Sequence, residues 1–172
     1  NCECGSCQLQ VAVLSGNTPH GVAMTEKEKT VLKLAGKITA QQIADEYDAL
    51  FGGVGKPEVA LYGSHYLSGF LNEKPLAALR TDLAALGLER DVAMHETEDH
   101  IAYVCEVMRY LIAGDDVAVS NLAAQQRFFD AHLRGWVERL FDAIAAHPRA
   151  DFYRAVAGFS RDFFAVEAQG FD

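Results

Sequence analysis

Apolar positions along most of this chain recur every three or four residues, the repeat of a helix that buries one face. Ile43, Tyr47, Leu50 and Phe51 share one such face, and Leu76, Leu79, Leu83 and Leu86 another. Ile101, Val104, Cys105, Met108, Leu111 and Ile112 form a third. From about Ser120 to His147 the spacing of Phe129, Leu133, Trp136, Leu140 and Ile144 predicts one long helix ended by Pro148. Phe152, Val156, Phe159 and Phe163 line a last helix. The β-branched alternation and frequent turn signals of a sandwich are missing.

Polar residues mark the ends of these segments. Thr25-Glu26-Lys27-Glu28 places a hydroxyl three residues before a carboxylate, a capping box, and predicts a helix to about Ala35, stopped by Gly36. Thr39-Ala40-Gln41-Gln42 repeats the device, and Gly52 and Gly53 end that helix. Val54 to Leu61 carries Gly55 and Pro57 and predicts an ordered loop, followed by a short helix from about Tyr62 to Leu71. Pro75 suits a first turn and Gly87 a C-terminal cap, while Thr97 is the expected N-cap of the helix that Gly114 closes. The pattern gives an all-α, single-domain helical bundle over 25–172. Residues 1–24 lack periodicity and read as a tail, with disorder the plainer reading.

Composition narrows the functional classes. Half of the 172 residues are apolar, enough for a sizeable core. A net charge of -9 with no basic stripe argues against nucleic acid and favours a cationic partner. No run reaches the ~18 apolar residues of a membrane span, and no secretory signal opens the chain, so the expected compartment is the cytoplasm. Cys105 sits in a helical apolar pattern and reads as a small core residue. Cys2, Cys4 and Cys7 crowd the start and, with His20, could ligate zinc, although they lack the CxxC…CxxC spacing of two cysteine pairs. The expectation is no metal and no cofactor.

Several charged motifs are candidates for chemistry. His95-Glu96-Thr97-Glu98-Asp99-His100 superficially suggests a zinc protease, but its histidines are five residues apart, roughly 140° around a helix axis instead of on one face. Glu98 and Asp99 are expected in a first helical turn, where carboxylates favour the positive end of the macrodipole. Asp99 and His100 could also act as an acid–base pair, yet no nucleophile is signalled beside them. Gly53-Val54-Gly55-Lys56-Pro57 lacks the spacing of a phosphate loop. Tyr62, Tyr66 and Phe70 recur every four residues as an aromatic stripe, and His132 and Trp136 are expected to pack within the long helix.

Taken in order, these motifs resemble the TorD/DmsD/NarJ redox-enzyme maturation chaperones. Tyr47-x-x-Leu50-Phe51-x-Gly53 and Tyr62-Gly63-Ser64-x-Tyr66-Leu67 are similar to the family's loop-and-helix signature, in which aromatic residues flank a Gly-Ser pair. Glu96-Thr97-Glu98-Asp99-His100 resembles its Glu-Pro-x-Asp-His motif, with Thr97 in place of proline. His132-Leu133-x-x-Trp136 and Phe152-Tyr153-Arg154-Ala155 are similar to its closing helices. Tyr62 and Tyr66 stand where some members have tryptophans, and the N-terminal helices look shortened, which leaves a monomer or a domain-swapped homodimer open.

The resemblance implies a TorD/DmsD-type bundle that binds the twin-arginine signal peptide of a molybdoenzyme catalytic subunit, delays its export and assists cofactor insertion. It implies no catalysis. Tyr62, Ser64, Tyr66 and Leu67 are expected on the apolar side of the signal-peptide groove, with Glu96, Asp99 and His100 at its polar end. Two alternatives come from other classes: a weak nucleotide-binding or hydrolysing protein using Asp99 and His100, and a metal-responsive helical protein using the N-terminal cysteines.

Overall fold

The computed structural model describes residues 26–52, 56–71, 73–91 and 93–172. The tail, its zinc candidates Cys2, Cys4, Cys7 and His20, and Thr25, Gly53, Val54 and Gly55 lie outside the described residues. Among the described residues there are eight helices and no strand, in agreement with the all-α reading. They are α1 (Glu26–Ala35), α2 (Ala40–Phe51), α3 (Gly63–Ser68), α4 (Lys74–Ala85), α5 (Ile101–Ala113), α6 (Leu122–His132), α7 (Val137–Ala146) and α8 (Phe152–Gly170).

Local chemistry sets most boundaries. The Thr39 hydroxyl accepts the Gln42 N–H at 3.2 Å while the Thr39 N–H donates to Gln42 Oε1 at 2.9 Å, so the expected capping box starts α2. Gly69 at φ +82° and Gly87 at φ +72° occupy the left-handed region that glycine enters without steric cost, and they close α3 and follow α4. Asn121 caps α6 through the Ala124 N–H. The packed elements bury Leu50, Leu79, Val104, Leu111, Phe129, Leu133, Trp136 and Leu140 in one core. α8 lies along α7 and α1, α5 along α6, and α3 along α4.

Four sequence expectations are corrected. The long helix is two helices: the chain leaves α6 at Leu133 (φ -126°, ψ -55°) and re-enters helix after Trp136. Gly135 lies in that turn, which lets Trp136 drop into the core and donate its indole N–H to the His132 carbonyl at 2.6 Å. His100, not Thr97, caps α5, its Nδ1 accepting the Ala102 N–H at 3.2 Å. Ile112 is exposed because it follows buried Leu111 by 100°, beyond the face that meets α6. On α8 the buried face carries Phe152 and Ala157, with Phe164 and Ala168 against the core, while Phe163 is exposed.

Besides its packing on α1, the last helix is tied to the first half of the chain by a carboxylate of α2. Asp151, the N-cap of α8, makes no side-chain cap. Glu46 of α2 supplies one instead: Oε1 accepts the Asp151 and Tyr153 N–H groups, both at 2.9 Å, and Oε2 accepts that of Phe152 at 3.1 Å. A carboxylate there answers both the free donors of a helix start and the positive end of its dipole. Arg149 Nη2 adds a bond to the Ala49 carbonyl at 2.8 Å.

Glu46→Ala is therefore expected to cost about 2 kcal/mol, the upper range of a lost cap, and to lower Tm by about 4–8 °C for a chain of this size. Asp48→Ala, on the same helix, serves as the control; equal melting of the two variants would refute the clamp.

Candidate functional site

Two extended segments each lead into a helix, and their pairing creates the site. Tyr62 and His100 form an isolated antiparallel bridge. The Gly63 N–H donates to the Asp99 carbonyl and the Ile101 N–H to the Leu61 carbonyl, both at 2.9 Å. The starts of α3 and α5 are thereby set side by side. α3 has no cap of its own, since Tyr62 offers none, and Asp99 provides it: Oδ2 accepts the Ser64 N–H at 2.9 Å. Its Oδ1 accepts the Thr97 hydroxyl at 2.6 Å, and the whole residue is buried.

Against this frame lies an open groove of about 500 Å³. Tyr47 and Phe51 of α2 form one wall, and Phe70 and Leu71, just past α3, form another. Tyr62, Glu96 and His100 close one side and Lys56 enters from the loop. Phe70 is 71% exposed, although it is a large apolar side chain. The Tyr62 hydroxyl donates to Glu96, and the Tyr62 and His100 rings meet edge to face at 5.3 Å.

The seven residues chosen from sequence separate into two groups. Tyr62, Glu96 and His100 line the groove. Ser64, Tyr66, Leu67 and Asp99 are not among its lining residues and lie around α3 instead. Tyr66 stacks on Trp136 (5.7 Å, 19° between planes) and donates its hydroxyl to the Ala60 carbonyl at 2.8 Å. Leu67 is exposed but turned toward Gly135, whose added Cβ would come within 3.3 Å of it. The aromatic stripe is also split, because α3 is only Gly63–Ser68: Tyr62 and Phe70 flank it and reach the groove, whereas Tyr66 turns inward.

Tyr47, Phe51, Phe70, Leu71 and Lys56 also line the groove, beyond the seven expected from sequence. The available signal was the apolar pair Phe70-Leu71 directly after the helix-stopping Gly69, where a plain surface turn would be polar.

Electrostatics support this division. Burial, then the bond to Glu96, raises the Tyr62 phenol well above its ordinary range, so it stays a neutral donor. Burial pushes Tyr66 up to about 12. Burial lowers the His100 pKa, opposed by the charges of Glu96 and Asp99, and a neutral Nδ1 is what its capping bond needs. Glu98 does not serve the α5 dipole. Burial raises its pKa, but Arg80, bonded through Nε at 3.0 Å and Nη2 at 2.9 Å, outweighs this and leaves it below the usual carboxylate range. The two groups of the weighed acid–base pair are engaged separately, Asp99 with α3 and His100 with α5. Burial pushes the Cys105 thiol up to about 12, away from nucleophilic use. Among the described residues no cluster of three or more His, Cys, Asp or Glu is disposed to hold a metal ion, and no helix is long and apolar enough to cross a membrane.

Comparison with protein families matches residues 21–142 to the family described as nitrate reductase delta subunit. That span contains every groove residue named above. No curated protein matches the chain.

Two outcomes follow from the geometry. A Cβ on Gly63 would stand 3.1 Å from Trp136 Cε2, so Gly63→Ala should cost about 1–3 kcal/mol by overpacking, read by chemical denaturation; a neutral result would mean that α3 is not seated on the indole. For His100 the folded pKa lies below the unfolded value near 6.5, so the folded state resists a proton that the unfolded chain accepts. Its contribution is complete above about 6.5 and is lost as pH falls through that value toward the folded pKa. Melting between pH 7.5 and 5.5 should fall more steeply for the native chain than for His100→Asn; parallel slopes would remove His100 as the cause.

Proposed function

The chain belongs to the nitrate reductase delta subunit family, a family of chaperones for molybdoenzyme maturation rather than catalysts, and from that premise we propose that its groove binds the twin-arginine leader of a molybdoenzyme catalytic subunit. Within the family the reading is of the TorD/DmsD type: a cytoplasmic helical domain over 25–172 that delays export of its client while the cofactor is inserted.

The observation that carries the proposal is the groove's mixed chemistry. Its walls are aromatic and aliphatic, with Phe70 and Leu71 half or more exposed before any partner is present. A leader has an apolar stretch that would bury them, and each large side chain so covered is worth about 1.5–3 kcal/mol. Beside those walls stands the exposed carboxylate of Glu96, on a protein of net charge -9, suited to an Arg-Arg pair. The Tyr62 hydroxyl donates to that carboxylate, and both residues line the groove. Asp99, buried and already bonded, contributes by holding α3 and the Glu96 segment in place.

Calorimetric titration with a synthetic twin-arginine leader and a scrambled peptide of the same composition tests the reading. The leader should bind more tightly and weaken with salt. Phe70→Ala should lose about ten-fold or more in affinity with the salt dependence kept. Glu96→Gln should lose roughly five-fold or less, since an exposed ion pair is worth about 1 kcal/mol at most, and should flatten the salt dependence. Equal affinity for leader and scramble would overturn the proposal.

A further inference from the structure

Ser64 is wholly buried, and its hydroxyl has no hydrogen-bond partner among the described residues. The usual local solution for a helical serine is the carbonyl four residues earlier, and Ser68 uses it, donating to the Ser64 carbonyl at 2.8 Å. Ser64 has no equivalent. Four residues earlier is Ala60, which precedes α3 and whose carbonyl already takes the Tyr66 hydroxyl. The Ser64 N–H is spent on Asp99. A buried hydroxyl that makes no hydrogen bond within the protein is rare and points to a partner outside the polypeptide.

Ser64 lines a notch of about 60 Å³ beside α3, whose lining shares no residue with that of the groove. Two other polar side chains line it, Asp99 and His132; the remainder is apolar, with Leu79, Val104 and Trp136 among the buried walls. Asp99 has one carboxylate oxygen on the Ser64 N–H and one on Thr97, and each can accept a further bond. His132 is buried and has Nε2 2.6 Å from Asp82. An apolar cavity of this size would stay dry, but one with polar groups in its wall and about 30 Å³ for each molecule is suited to water.

We propose that the notch bounded by Ser64, Asp99 and His132 is a structural water site holding about two molecules, which take up the Ser64 hydroxyl and bridge α3 to the 96–100 segment and α6. The inner face of α3 then rests partly on solvent, and the site accounts for a serine at a position whose burial alone would suit alanine. The inference does not depend on what the groove binds.

A high-resolution crystal structure of the full chain, with melting of Ser64→Ala beside the native protein, tests it. The expected result is ordered solvent within hydrogen-bond distance of Ser64 Oγ, and a Tm lower by about 2–4 °C in the variant, the effect of one typical hydrogen bond in a chain of this size. An empty notch, or a Ser64→Ala protein that melts at or above the native temperature, would overturn the proposal, because removing a dry unpartnered hydroxyl stabilises a fold.

Discussion

The acceptance of the Ser64 N–H by the buried carboxylate of Asp99 is the contact on which the site depends. A short helix such as α3 gains little from its own hydrogen bonds, since nucleation costs more than a few residues return. It persists because an anion from another part of the chain closes its start, where unpaired donors and the dipole both call for negative charge. The same bond fixes the segment carrying Glu96 and His100 relative to Tyr62. Glu46 does for α8 what Asp99 does for α3 and so holds α2, with Tyr47 and Phe51, against the closing helix. Two opposing walls are thus set by two remote carboxylates.

How much of this was legible in the sequence followed from the range of the interaction concerned. Caps made within a few residues were readable, as with Thr39 and Gln42, and so were the glycine stop at Gly87 and the Leu76, Leu79 and Leu83 face. Periodicity failed where a long-range partner decided the outcome. Leu133 and Trp136 keep the helical spacing through a break, because both side chains are buried in the same core. Thr97 has the chemistry of an N-cap, but its hydroxyl goes to Asp99, and the cap of α5 passes to His100. The acids of the 96–99 run looked equivalent, and only the fold assigns Glu98 to Arg80 and Asp99 to α3.

The groove shows the same limit. Of the residues in the resembling motifs, Tyr62, Glu96 and His100 line the groove. The motif does not distinguish residues that line the groove from residues that brace those lining it. In α3 the difference is one of rotation: Ser64 and Leu67 turn to the notch, and Tyr66 to the indole, while the flanking Tyr62 and Phe70 reach the open side. The motif therefore combines groove-lining residues with the residues that hold them in place.

Trp136 is the chain's single tryptophan, fully buried, stacked on Tyr66 and bonded through its indole N–H to His132. Its emission is therefore that of one chromophore in one environment, set directly against the helix that backs the groove. Any displacement of α3 alters the ring that quenches or shields it. The protein carries an optical probe of its own site, free of the averaging that several tryptophans would impose and requiring no label.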